Sequence, residues 1–331
     1  MTNNNFTKAL TGALLLSTLA GGSAFAQERT LRLATDQPKG HPYDMGAEEF
    51  ARLVSEKTNG EIAVEIYPAA QLGDSAEQVE GLHIGALDMT LSSFSHASQF
   101  CADLSIFGAP FLFETEEHFA AVFDGEIGDE LAQSCAETYS IRLLNTFTSG
   151  YRLLFNGARP IESIGDLDGL KIRVQSGRAD ALTWKVFGAI PAPIPYSEVY
   201  SALQAGVIDG AENEPASILA NRFYEPAPYL TNTKHLVVPM GLFISDRVFS
   251  DLSTENQTAL QEAADEAATY ERNLIVELNA AAIEEMTTNF GVTVTEVDVD
   301  AMRDKGQEVQ ALVAQELGQQ DMLEKIRAAA Q

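Results

Sequence analysis

Three short apolar strands separated by two helical stretches open the chain, and that order constrains the fold the remaining residues can build. Residues 30–35 alternate as a first strand that ends at Asp36. Tyr43, Ala47, Phe50 and Val54 then recur at helical spacing until Asn59-Gly60 stops the helix. Residues 62–67 alternate as a second strand. After the loop Gln71-Leu-Gly-Asp74 a helix runs to about His83. Residues 86–91 read as a third strand, ending in Ser92-Ser93-Phe94. Parallel neighbours need a crossover between them, so this βαβαβ order predicts a mostly parallel sheet with helices on both faces.

The pattern recurs further on. Phe107 to Phe113 is an apolar connector, 126–139 a helix, and 141–148 and 151–155 two strands, the second carrying Arg152. Residues 170–174 read as a short buried strand between Gly169 and Ser176-Gly177, with Arg173 near its end. A helix from about Arg178 to Phe187, the proline-spaced Pro191-Ala-Pro-Ile-Pro195, a helix from Ser197 to about Ala205 and a strand over 207–209 come next. Residues 210–215 read as a loop opening a helix, and 235–245 as two more strands. With 331 residues, 45% hydrophobic and 21% charged, the chain has enough material for two α/β lobes. Leu274, Leu278, Ala282, Met286 and Phe290 recur every four residues, one apolar stripe on a helix over 255–290. Thr254 and Gln257 predict a capping box at its start. At ~1.5 Å per residue that helix is about 50 Å long, more than one lobe is wide, so it is expected to lie across both. A strand over 292–297 and an amphipathic helical tail close the chain. The expected division is 27–150 with a return segment 239–280 for the first lobe, and 151–238 with 281–331 for the second.

Residues 1–26 have the form of a secretory signal peptide. Lys8 precedes an apolar run over 9–20, and Ala24-Phe25-Ala26 is a small-x-small cleavage site, with cutting expected before Gln27. The expected mature protein is exported and not membrane-embedded. It keeps 20 lysines and arginines against 48 acidic residues, a formal charge of −28. Such a surface disfavours nucleic acid and anionic lipid as partners, and obliges an anionic solute to find a locally positive pocket. The two cysteines, Cys101 and Cys135, permit one disulfide or two separate buried thiols.

Catalytic patterns are missing. The five histidines, His41, His83, His96, His118 and His235, show no metal spacing. No Gly-x-Ser-x-Gly elbow, phosphate loop or Gly-x-Gly-x-x-Gly follows a strand. Glu116-Glu117-His118 reads as a solvated helix start. An exported two-lobed α/β protein without a catalytic constellation points to binding. Ligands of open α/β sheets sit beyond strand ends. An arginine there suits a carboxylate, because its planar donor fork pairs with one and it keeps its charge. A solvated arginine flanking the strand is the alternative for Arg173.

Several stretches together are specific. Pro193-Ile-Pro-Tyr196-Ser-Glu-Val-Tyr-Ser-Ala-Leu-Gln-Ala-Gly-Val-Ile-Asp-Gly-Ala-Glu-Asn213, Tyr67-Pro-Ala-Ala-Gln-Leu-Gly-Asp74, Gly85-Ala-Leu-Asp88 and Gly169-Leu-Lys-Ile-Arg173-Val span the mature chain. In these the chain resembles the extracytoplasmic solute-binding proteins of TRAP (tripartite ATP-independent periplasmic) transporters. The resemblance implies two lobes that close on an organic acid, a sugar acid or a C4-dicarboxylate, and deliver it to integral-membrane permease subunits. It implies that Arg173 clamps the ligand carboxylate, that Asn213 hydrogen-bonds the ligand, and that Arg152 reaches the ligand or braces the clamp. It places Tyr196 as an aromatic wall, and Asp36, Ser93 and Phe94 where the first lobe reads the far end of the ligand. Relatives that hold a metal carry a Trp-Val-Gly-Pro-type run where this chain has Glu212-Asn-Glu-Pro215, so no metal and no cofactor is expected. A receptor for an ATP-driven importer or a sensor kinase is the alternative, and an exported sugar-acid lyase a third.

Overall fold

The computed structural model describes residues 29–330; the leader expected over 1–26 lies outside them. β1 (Arg29–Ala34), α1 (Pro42–Lys57), β2 (Ile62–Tyr67), α2 (Ser75–His83) and β3 (Met89–Ser93) follow the order read from the sequence. β1 lies parallel to β2 on one side and to β3 on the other. Local chemistry sets the helix starts. Pro42 brings a preset φ to the first turn of α1, and the His41 ring caps it by accepting from the Tyr43 amide. Asp74 and Glu77 make a reciprocal capping box at α2.

α3 (Phe94–Ala97), α4 (Glu116–Phe123) and α5 (Glu126–Tyr139) lead to β4 (Ile141–Asn156). β5 (Lys171–Val174), α6 (Arg178–Val186), β6 (Ile190–Pro193), α7 (Val199–Gln204), β7 (Gly210–Asn213) and α8 (Pro215–Ala220) form the second set. β8 (Tyr229–Ser245) then returns across the molecule, and α9 (Asp246–Ser250) leads into α10 (Thr254–Asn289). β9 (Thr293–Glu296), α11 (Val299–Leu317) and α12 (Gln320–Ala328) close the chain.

The described strands join in one sheet, in the order β2-β1-β3-β8-β4-β7-β5-β6, with β9 on β8. The outer wings are parallel, and the pairs β3–β8, β8–β4 and β4–β7 that fuse them at the centre are antiparallel. The two strands expected over 141–155 are one, as are the two expected over 235–245. The interruption is a bulge, a register shift between Thr148 and Tyr151, where Gly150 takes φ +60°. A side chain at Gly150 would strain the left-handed backbone and press on Asn279, whose Nδ2 donates to the Ser149 carbonyl at 3.1 Å. Gly150→Ala is therefore expected to cost about 1 kcal/mol, seen as a lower thermal midpoint. An unchanged midpoint would show that the bulge tolerates a Cβ.

β7 begins three residues later than the strand expected over 207–209. Val207 is 56% exposed, whereas Gly210 to Asn213 are buried with β4 and β5 on either side. A strand laddered on both edges is held by its backbone, so apolar side chains need not mark it.

α10 spans 36 residues, about 54 Å. Ser253 caps it by accepting from the Asn256 amide; the expected Thr254–Gln257 box does not form. Gln257 instead donates to the carbonyls of Phe249 and Leu252, at 3.1 and 3.2 Å. The first half buries Leu260, Ala263, Ala264, Ala267 and Ala268 in a core with Tyr43, Phe50, Val54 and Phe147. The far end buries Met286 with Phe155 and Phe223 of the other wing. The helix therefore runs across both halves. Of the expected stripe, Ala282 and Met286 are buried, Leu274 and Leu278 half-buried, and Phe290 exposed. The alanines decide the buried face, because small side chains let α1 approach closely. A Cβ on Gly46 of α1 would come within 3.0 Å of the Glu271 side chain.

Cys101 and Cys135 form a disulfide, with Cα atoms 5.4 Å apart. It ties the segment after α3 to α5, beside a core of Phe94, Phe107, Phe113, Phe119 and Phe123. His118 is not solvated as expected of that helix start; it is buried. Its Nδ1 accepts from the Glu114 amide, so Nε2 carries the proton and donates to Ile326 O at 2.7 Å, fastening α12 to α4.

Candidate ligand-binding site

Arg173 stands near the end of β5 and is 2% exposed. Its Nε donates to Ile194 O at 2.8 Å, and its guanidinium carbon lies 5.7 Å from the centre of the Tyr196 ring. Nη2 is buried without a hydrogen-bond partner. Burial holds the pKa of this group below that of a free arginine, against the pull of Glu212. The result is a desolvated cation with an open donor edge.

Arg152, in β4, is buried too, but its donors are occupied. Nε and Nη2 meet the Glu212 carboxylate, Nη2 also meets Glu212 O at 2.7 Å, and Nη1 meets Glu214 Oε2 at 2.9 Å. Burial alone would lower its pKa; Glu212 and Glu214 outweigh that and raise it. Its guanidinium is thus held by Glu212 and Glu214. The network continues across the cleft. Glu214 Oε1 accepts from Ser217 Oγ, which lies 2.8 Å from His41 Nε2. Since His41 Nδ1 accepts from the Tyr43 amide at 3.1 Å, its Nε2 is the donor. Burial lowers the pKa of His41 to about 3, so the ring is neutral. His41 precedes α1 in one wing, and Ser217 sits on α8 in the other. Ser93 Oγ to Gln175 Oε1 and Gln99 Nε2 to Ser176 Oγ, both 2.6 Å, cross the same seam.

Asp36 is half-buried at the end of β1. It accepts from Ser75 Oγ at 2.5 Å and Gln37 Nε2 at 3.2 Å. Burial raises its pKa, opposed by Ser75 and by the charge of Arg173. The Tyr196 hydroxyl accepts from Asn213 Nδ2 at 3.2 Å and Asn221 Nδ2 at 2.8 Å, which leaves its own proton to donate.

Asp36, Ser93, Arg152, Arg173, Tyr196 and Asn213 thus converge on one small cavity of about 20 Å³. Ser75, His96 and Tyr196 also line a second hollow, of about 140 Å³, bounded by Asp74, Ser176, Pro193 and Ile194. Phe94, expected with them, is not on the cavity. It is fully buried and packs edge-on against Phe107 and Phe123, with centroids 5.6 and 5.5 Å away. The strand ends at Ser93, and the first turn of α3 carries Phe94 into the core. Sequence reasoning missed Gln37, Tyr43, Ser75, His96, Gln175, Glu214 and Met240. Gln175 follows Arg173 by two positions, a spacing that shares a strand face.

Four buried polar atoms of the cavity residues lack partners: Arg173 Nη2, Gln175 Nε2, the Tyr43 hydroxyl and Gln37 Oε1. Each such group costs about 1–3 kcal/mol, so their concentration at one place suits it to a polar solute. Among the described residues no group of three or more His, Cys, Asp or Glu could hold a metal ion, and no helix is long and apolar enough to cross a membrane.

Two α/β wings crossed by one long helix, with a buried guanidinium open to the cleft between them, define a two-lobed solute-binding protein. Residues 33–316 match the family model for bacterial extracellular solute-binding proteins of family 7 (DctP), and the chain belongs to that family. A solute-binding protein of Roseobacter denitrificans is 34% identical over 88% of this chain and 89% of its own length. The fold is similar to a TRAP periplasmic solute-binding protein of Xanthobacter autotrophicus Py2 with bound β-D-galacturonate. The TM-score is 0.85 at 31% identity, over 90% of this chain and 99% of that one. A Chromohalobacter salexigens protein with bound D-glucuronate gives a TM-score of 0.86 at 32% identity, over 90% and 99% of the two chains. The family expected from the motifs is the one found.

Proposed function

We propose that this protein is the periplasmic receptor of a TRAP transporter. It captures a small organic acid, a sugar acid or a C4-dicarboxylate, and carries it to the membrane permease subunits. The observation that carries this reading is the buried Nη2 of Arg173, a cation edge with no protein partner. A ligand carboxylate completes it, with Gln175 and Asn213 beside it and Arg152 as the brace. The first lobe comprises 27–150 with the return over 239–280, and the second 151–238 with 281–331. Their parting at the bulge around Gly150 admits the ligand, and the links from His41, Ser93 and Gln99 re-form on closure. The galacturonate and glucuronate bound by structural relatives support the sugar-acid side of the reading.

A thermal-shift panel of uronates, aldonates, C4-dicarboxylates and neutral sugars tests it. The right acid at 1,000 times its dissociation constant stabilises the protein by about 4 kcal/mol, a rise of several degrees. A panel in which neutral sugars raise the midpoint and acids do not would overturn the reading.

A further inference from the structure

We propose that Asp36 determines specificity in this cleft: it admits an acid whose far end carries hydroxyl groups and excludes one whose far end carries a second carboxylate. This rests on the receptor reading above and narrows its ligand class. Asp36 lines the cavity from the end of β1, and Arg173 lines it from β5 in the other wing. A short acid whose carboxylate pairs with Arg173 therefore presents its other end to the wall that holds Asp36.

At Asp36 and Gln37 that wall offers acceptors. An ionised carboxylate has about four acceptor positions and no donor. Ser75 Oγ at 2.5 Å and Gln37 Nε2 at 3.2 Å are the side chains that fill two of them. The same contact fixes the Gln37 amide. Its nitrogen faces Asp36, so Oε1 is the atom left over, buried and without a partner. Both groups call for donors from the solute, and adjacent hydroxyls supply them. A second carboxylate supplies none and sets like charges together where water is excluded. Among the described residues no cation on the cavity is free to offset it. Arg152 is taken by Glu212 and Glu214, and Arg173 by the first carboxylate. His96, the remaining basic side chain on the cavity, is kept neutral by burial, its pKa lowered to about 3.

Titration calorimetry on the mature protein and on Asp36→Asn, with D-glucuronate, D-galacturonate and succinate as probes, tests the assignment. The parent is expected to bind one of the uronates at least ~100-fold more tightly than succinate, since a site with acceptors left unpaired rejects the solute that lacks donors. The Asn side chain offers a donor and no charge, so the variant is expected to shift that preference at least ~10-fold toward succinate. A parent that binds succinate as tightly as the uronates overturns the proposal whether or not the variant folds. A variant whose preference stays within about threefold of the parent's also overturns it. A parent that binds none of the three overturns this assignment and leaves the receptor reading to the wider thermal-shift panel; binding of both classes alike also overturns this one alone.

Discussion

Replacing Arg173 with alanine is expected to weaken binding of the acid by roughly 30-fold to several thousand-fold, the equivalent of about 2–5 kcal/mol. The guanidinium is 2% exposed, so the ligand carboxylate it pairs with is also out of water. Removing one partner leaves the other buried and unpaired, which is what makes the loss large. Arg173→Lys keeps the charge but not the planar fork, and an intermediate affinity is expected. The unliganded protein is expected to change little, because the free cation is itself costly to bury. The discriminating pair of measurements is calorimetric affinity and the melting point without ligand. Affinity within threefold of the parent, with the fold intact, would show that Arg173 is not the clamp.

At pH 8 the Asp180→Asn variant is expected to melt above the parent, and at pH 5 the difference is expected to shrink by several degrees. Asp180 lies in the first turn of α6 and is 4% exposed, with its carboxyl group turned into the seam. It faces Ser95 and Gly108 across the seam; a Cβ on Gly108 would sit 3.3 Å from its Oδ2. Burial, with the charge of Glu212, pushes its pKa from the ordinary 3.8 up to about 7. The folded protein therefore holds this proton more tightly than the unfolded chain. Stability is full below about pH 4 and falls as pH rises through 7, by at most about 4 kcal/mol. Asparagine never ionises and escapes that loss. Burial also lowers the pKa of His41 to about 3 and that of His235 to about 4, which costs stability as the solution becomes acidic. Parent and variant share that term, so it cancels in their difference. A difference that stays flat between pH 5 and pH 8 would show that Asp180 is ionised at no cost.

Much of the fold was legible because its elements carry local signals. Periodicity and punctuation placed β1 and β2 to within a residue, β3 with a start three residues early, α5 to the residue, and the long helix across both halves. β7 was misplaced because its ladder, not its side chains, makes Gly210-Ala-Glu-Asn213 a strand. The start of α10 was assigned one residue late because Ser253 and Thr254 are both good capping residues, and only the backbone path chooses between them. In the site, the open edge of Arg173 follows from an arginine at a buried strand end. That Arg152 is spent on Glu212 and Glu214 could not be read, since those carboxylates lie about sixty residues on and arrive through β4–β7 pairing. Phe94 was misjudged because the alternation of β3 stops one residue before it. The cysteine pair stayed open because a sequence separation of 34 says nothing about where α5 packs.

β4, β8 and α10 each belong to both halves of the molecule. Neither half owns a complete sheet, so a gene fragment encoding one of them would express a protein with raw strand edges and a stranded stretch of helix. Shuffling whole halves between relatives is thus a poor route to a new cargo. Transplanting a few wall positions, on a frame left uncut, is the route this architecture permits.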